Sequence, residues 1–284
     1  MNQLDPSIPQ VEPPVSSKFI ESGNFGKTYL SDDNQYAIKV IDLKKKYLNI
    51  SETIKNEIEN YHNISTFCPN YFCPFVGYHY ANGFLSITMK YCGTDMYSYL
   101  NTAERTPKQK YIIFRKLATA LKCLHDNGHI HFDLKPENVV IDKELNVKLI
   151  DAGSLTNLLN YTDSKVRIQG TPLYMAPELQ YLLFPKYYNK IKANVDKNIS
   201  PGYINNVNLD KTDIYSYGMM VKIWNPSLFD KEFKNELIHP YPFRRPTIQD
   251  ILDKFQSYQR SEKNTRTNGG KRKITRRSRR QKRS

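Results

Sequence analysis

The chain has 284 residues, 39% of them hydrophobic, enough for one large domain or two small lobes around a buried core. No run approaches the ~18 consecutive apolar residues of a spanning helix, and the N-terminus lacks the charged-then-apolar pattern of a secretory signal. Neither a membrane span nor secretion is expected, and the four cysteines (Cys68, Cys73, Cys92, Cys123) read as reduced thiols of a cytoplasmic or nuclear protein. A zinc site on Cys68 and Cys73 with His62 or His79 is the alternative. The net charge of +14 is uneven: residues 260–284 hold twelve Lys or Arg and one Glu, and the rest is nearly balanced.

Residues 1–17, with Pro6, Pro9, Pro13 and Pro14 and few apolar anchors, read as a flexible arm, with order expected from Lys18. Phe19-Ile20 and Tyr29-Leu30 flank Gly23 and Gly26 and predict a hairpin; Asp32-Asp33-Asn34 is turn chemistry, and Tyr36–Ile41 reads as a strand. Ser51 is placed to cap a helix running to about His62, with Ile54, Ile58 and Tyr61 as its apolar stripe. Phe84–Met89 is another strand. Thr106-Pro107 supplies a cap and first turn, Ile113, Leu117, Leu121 and Leu124 share one face of a long helix, and Gly128 ends it. Val139–Ile141 and Val147–Ile150 are short strands around a turn. A strand-rich front with one helix, followed by a helical back half, predicts an α+β molecule of two lobes with a cleft between them. The expected domain spans 18–258, with lobes of about 18–90 and 94–258 divided near the end of the last front strand, and a basic arm over 259–284.

Residues 131–138 read His-Phe-Asp-Leu-Lys-Pro-Glu-Asn, and Asp151 follows in Leu-Ile-Asp-Ala-Gly. An Asp, a Lys two residues on and an Asn five residues on gather a base, a phosphate-facing cation and a metal ligand in one loop. The octet resembles the catalytic loop of eukaryotic-type protein kinases. That resemblance implies a bilobal kinase fold, ATP and Mg2+ as cofactors, and a protein substrate offering Ser or Thr. It makes Asp133 the catalytic base, Lys135 the stabiliser of charge on the γ-phosphoryl group, and Asn138 and Asp151 the metal ligands. Asp-Leu-Lys-Pro-Glu-Asn resembles the serine/threonine type. Gly170-Thr171-Pro172 through Ala176-Pro177-Glu178 resembles the end of an activation segment. Thr171 is then expected to bridge Asp133 and Lys135, Glu178 to pair with Arg245, and Asp213 to brace the loop from below.

The resemblance extends to the nucleotide side. Glu21-Ser22-Gly23-Asn24-Phe25-Gly26 matches the second and third glycines of a phosphate-covering loop. Lys39, in Tyr36-Ala37-Ile38-Lys39, resembles the strand lysine that holds the α- and β-phosphates. Its partner is expected to be Glu57, with Glu52 and Glu59 as rivals. Met89-Lys90-Tyr91-Cys92-Gly93 looks like a gatekeeper and hinge, with Lys90 and Cys92 presenting backbone to adenine and Ala37, Met89 and Val140 lining its pocket. Asp95 resembles a ribose-facing acid, and a helix cap is the equal alternative.

Three departures stand out: Glu21 at the first glycine, Phe132 where the family has arginine, and Ala152 where it has phenylalanine. Phe132 removes the usual counter-charge for an activation-loop phosphate, although Ser154, Thr156, Tyr161, Thr162 and Ser164 are available. Ala152 leaves a potential void, part of which Tyr61, one turn after Glu57, is large enough to fill. The same departures suit a pseudokinase or a nucleic-acid-tethered scaffold, whereas intact Lys39, Asp133, Asn138 and Asp151 favour catalysis. The segment from Glu178 to Asp213 reads as long, and that from Gly218 to Arg245 as short. The tail over 269–284 has no acidic or aromatic residue, which suits binding to nucleic acid through its phosphates rather than base stacking; an acidic-partner dock, a nuclear import signal and a solvated tail are the alternatives. Such Gly-Gly-Lys-Arg tails resemble those that end many proteins of large DNA viruses.

Overall fold

In the computed structural model the described residues are 4–22, 26–44, 50–158, 166–167, 170–183, 203–204, 208–225 and 227–257. Five antiparallel strands form the front sheet: β1 (Ser16–Ser22), β2 (Lys27–Ser31), β3 (Tyr36–Asp42), β4 (Phe75–Ala81) and β5 (Phe84–Lys90), in the order β1-β2-β3-β5-β4. Alternation fixes which face each residue takes: Ile38 and Ile41 go to the core, and Lys39 lies opposite Ile87 across the β3–β5 ladder. One helix, α1 (Ile50–Phe67), crosses this sheet. It runs past His62 because Ile64 continues the stripe of Ile54, Ile58 and Tyr61, all buried. Cys68-Pro69 then stops it, since the residue before a proline is pushed out of helical geometry.

The N-terminal residues depart from the expected flexible arm. Val11 N–H donates to the Tyr78 carbonyl (2.9 Å), and Tyr78 N–H donates to the Pro9 carbonyl (3.1 Å). Ile8, 4% exposed, joins the main core. A Cβ at Gly77 would lie 2.7 Å from the Pro9 oxygen, so this approach requires glycine. The reason is the sheet order: β4 is an edge with unpaired backbone groups, and the arm covers it. Deleting residues 1–15 should therefore lower stability by about 2–4 kcal/mol, one buried Ile plus the lost hydrogen bonds. Urea unfolding checks this, and an unchanged midpoint would mean that the docking contributes nothing.

The helical half begins with β6 (Thr94–Asp95) and α2 (Met96–Thr102), followed by α3 (Pro107–Asp126). α3 starts at a capping box in which Thr106 and Gln109 satisfy each other's backbone N–H groups, and it ends at Gly128, φ 70°. Its buried face carries Ile113, Leu117, Leu121 and Leu124. β7 (His129–Ile130) leads into the loop of interest, and β8 (Val139–Ile141) and β9 (Val147–Leu149) form a sheet with β6. β10 (Thr156–Asn157) pairs with β7, and β11 (Val166–Arg167) pairs with β12 (Tyr203–Ile204). α4 (Pro177–Leu183), α5 (Asp210–Trp224), α6 (Lys231–Leu237) and α7 (described over 248–257) complete this half.

The cysteines also depart from expectation. Cys68 pairs with Cys123 and Cys73 with Cys92 as disulfides, with Cα separations of 6.0 and 5.9 Å, not as reduced thiols. The fold brings the end of α1 against α3, and the loop before β4 against the residue that follows β5 by two. Among the described residues no group of three or more His, Cys, Asp or Glu could hold a metal, so the zinc alternative with His62 or His79 is not formed.

Candidate active site

Strand β3 delivers Lys39, and α1 delivers Glu57 to meet it. Lys39 Nζ donates to Glu57 Oε1 at 2.6 Å and lies 3.7 Å from Asp151 Oδ1. Glu57 is 2% exposed, whereas its rival Glu59 faces Lys55 at the helix surface; the side chain of Glu52 lies outside the described residues. Burial works against charge on Lys39, but the Glu57 carboxylate and Asp151 outweigh it and hold its pKa above the ordinary value. A permanent cation thus stands between two carboxylates.

The loop after β7 is held from beneath by α5. Asp213, fully buried, accepts from the His131 N–H (2.8 Å) and the Phe132 N–H (3.0 Å), and its Oδ2 lies 3.0 Å from His125 Nε2. Burial opposes the Asp213 carboxylate, yet His125 and the backbone donor keep its pKa below the usual range. These bonds steady Phe132 at φ 67°, a left-handed conformation that a bulky residue rarely takes. The turn they impose presents Asp133. Its Oδ1 accepts the Thr171 hydroxyl at 2.7 Å, and its Oδ2 lies 3.1 Å from Lys135 Nζ. Lys135 also donates to the Thr171 oxygen at 3.1 Å. Asn138 donates its amide N–H to the Asp133 carbonyl (2.8 Å), which fixes the orientation of the amide.

Asp151 sits at φ 66° between β9 and the turn Ala152–Ser154. Burial pushes its carboxyl up, but Lys39, His131 and the Gly153 N–H together hold it below the ordinary range. Its side chain stays 38% exposed, ionised and open to a ligand. One carboxylate and one amide oxygen are hard donors that suit magnesium, which takes few protein ligands and completes its shell with water and phosphate oxygens. The residues present fit that ion.

On the adjoining wall, Ala37 lies opposite Met89 in the β3–β5 ladder, and Met89 and Val140 are buried. The Lys90 N–H donates to the Pro74 carbonyl, and the Lys90 ammonium lies over the Tyr36 ring at 4.1 Å. Cys92, whose sulfur is engaged by Cys73, precedes Gly93, where φ is 129°. Asp95 caps α2 by accepting from the Ser98 N–H at 2.8 Å, the role left open beside ribose contact. Gly26 is tight: a Cβ there would lie 2.5 Å from the Val40 oxygen. Gly23 lies outside the described residues, as do Tyr161, Thr162, Ser164 and the basic tail.

The protein kinase domain family matches residues 15–224 of the chain. The chain belongs to the protein kinase family. Among its relatives, serine/threonine-protein kinase KIC1 of Saccharomyces cerevisiae is 33% identical over 178 residues, 58% of this chain and 16% of that protein. Maternal embryonic leucine zipper kinase of Xenopus tropicalis is 30% identical over 167 residues, 56% of this chain and 25% of that protein. Serine/threonine-protein kinase fused of Drosophila melanogaster reaches 51% over 63 residues, 22% of this chain and 8% of that protein. The chain therefore spans a quarter or less of the length of these relatives.

Within that family, the chain departs from the common pattern at Phe132 and Ala152. Phe132 is buried in a small apolar group with Ile130, Met175, Ala176, Leu179 and Leu209. An apolar side chain thus joins the loop to Met175, Ala176 and Leu179. Ala152 is fully buried; Tyr61 stacks on Phe75, and its hydroxyl accepts from the Asp151 N–H at 3.0 Å. Sequence reasoning missed Asn60, which bonds the carbonyls of Ala152 and Leu155, and His125 beneath the loop. Asn60 lies three residues past Glu57, on the same helical face, and that spacing was the available signal.

Proposed function

We propose that this kinase transfers the γ-phosphoryl group of ATP to serine or threonine hydroxyls of protein substrates. The observation that carries the reading is the Thr171 hydroxyl seated on Asp133 at 2.7 Å beside Lys135: an alcohol proton already points at the carboxylate. A substrate hydroxyl at that carboxylate would be oriented and relieved of its proton by Asp133, with Lys135 offsetting charge on the transferred group. Lys39, fixed by Glu57, would hold the α- and β-phosphates. Asn138 and Asp151 would hold magnesium, which when bound neutralises phosphate charge. Gly23 and Gly26 would cover the phosphates. Ala37, Met89 and Val140 would enclose adenine against the Lys90 and Cys92 backbone, and Asp95 keeps one carboxylate oxygen for the ribose beyond the one that caps α2. The relatives named serine/threonine-protein kinases support the choice of acceptor.

The test is transfer of labelled γ-phosphate to a generic basic protein, with acid hydrolysis to separate phosphoserine and phosphothreonine from phosphotyrosine. Magnesium-dependent label on serine or threonine is expected. Nucleotide binding without transfer would move the chain to a scaffold role. The basic tail would dock nucleic acid or an acidic protein by charge, with strong salt dependence.

Because Phe132 anchors the segment by packing, phosphatase treatment should leave activity within about twofold, the scale of a surface charge effect. A collapse of activity after treatment would show that a phosphate holds the segment instead.

A further inference from the structure

We propose that Asn60 and Tyr61 are positioning residues that hold the segment 151–155 against α1 through hydrogen bonds, in place of the apolar side chain missing at Ala152. Asn60 Nδ2 donates to the Ala152 carbonyl at 2.8 Å and to the Leu155 carbonyl at 3.1 Å. The next residue of the helix accepts: Tyr61 Oη takes the Asp151 N–H at 3.0 Å. The Tyr61 ring is fixed by stacking on Phe75, with centroids 6.0 Å apart and planes 8° from parallel. Burial pushes the Tyr61 hydroxyl well up, and Glu57 and Asp151 add to the effect, so it stays a neutral hydroxyl.

Glu57, Asn60 and Tyr61 are spaced i, i+3 and i+4, so one face of α1 carries all three. A Cβ at Gly153 would lie 3.3 Å from the Glu57 carboxylate, which shows how closely the segment approaches that face. The inward position of Glu57 and the orientation of Asp151 are therefore one mechanical unit. A polar clamp is directional: it fixes the backbone at Asp151, Ala152 and Leu155, where an apolar plug would fix only a volume. If α1 swings out, Lys39 loses Glu57 and Asp151 loses its backbone partner in the same movement.

This inference rests on the phosphoryl-transfer reading for its consequence, but not for its geometry. Two variants separate the groups: Tyr61→Phe keeps the stacked ring and removes the acceptor, and Asn60→Leu removes the donor. Two measurements read them in the full chain. Amide hydrogen exchange of residues 151–155, without metal or nucleotide, should quicken by about five- to tenfold, the scale of one lost hydrogen bond. The magnesium concentration for half-maximal binding of a non-hydrolysable ATP analogue should rise by a similar factor, about five- to tenfold, with nucleotide affinity in EDTA unchanged. A merely structural contact would lower thermal stability and leave that magnesium midpoint in place.

Unchanged exchange and an unchanged midpoint in Tyr61→Phe would overturn the proposal, even if Asn60→Leu fails to fold. Should the wild type show no magnesium-dependent binding, the phosphoryl-transfer reading falls. Exchange over 151–155 then decides the clamp by itself, quickened exchange supporting it and equal exchange overturning it.

Discussion

Asp133→Asn should lower kcat for phosphoryl transfer by ~10²–10⁴, with the KM for ATP changed little. The substitution keeps the shape of the side chain and an oxygen for the Thr171 hydroxyl, so the loop should stay in place. What it removes is the negative charge and the ability to take a proton. On the proposed reading that task falls to a carboxylate held by its neighbours: Thr171 at 2.7 Å, Lys135 at 3.1 Å, and a backbone turn fixed from below through Asp213. None of these contacts belongs to the apolar core, so thermal stability should fall by less than about 1 kcal/mol, the scale of an exposed ion pair. Steady-state kinetics on matched preparations is the measurement. Equal rates for wild type and variant would mean that the activity comes from a contaminant or that another group accepts the proton.

The parts of the site legible in the sequence were those whose chemistry is local. His131–Asn138 carries a carboxylate, a cation and an amide within eight residues, so a single loop suffices to gather them. Thr106-Pro107 and Gly128 bound α3 for reasons confined to one or two residues at each end. The choice of Glu57 over Glu59 was harder, because both lie on α1 and only the position of the sheet decides which face is buried. Three features depended on pairings remote in sequence. The arm at Pro9–Val11 looks unanchored until β4 becomes an edge strand. The cysteine pairs are separated by 55 and 19 residues, and composition pointed to thiols. Asn60 reads as a solvated helix residue until the turn at Ala152 is brought beneath it. The sequence also flagged Phe132 and Ala152 as losses. The packing of Phe132 against Met175 and Leu179, and the hydrogen bonds around Ala152, turn both into alternative ways of holding the same segments.

Glu178→Ala should destabilise the chain by about 3–5 kcal/mol, the cost of leaving a buried charge without its partner. For a domain of this size that is a fall in Tm of roughly 10 °C. Arg245, whose side chain is 0% exposed, donates Nη1 to Glu178 Oε1 and Nη2 to Oε2, both at 2.7 Å. Its remaining bonds go to the carbonyls of His239 (2.7 Å), Lys211 (2.9 Å) and Pro240 (3.2 Å), and Tyr215 lies beneath it. The guanidinium therefore ties α4, α5 and the segment before α7 to a single point, and its carbonyl partners compensate dipole but not charge. Removing Glu178 alone leaves the buried cation with neutral partners only. Replacing both partners with apolar residues, Glu178→Leu with Arg245→Met, should recover much of the loss, because no buried charge then needs a partner. The carbonyls around position 245 would still lack donors, so recovery should stop short of wild type. A double-mutant cycle by thermal unfolding reads the coupling directly. If the single change costs no more than an exposed ion pair, the burial of Arg245 is not what holds this end of the activation segment to the helices below.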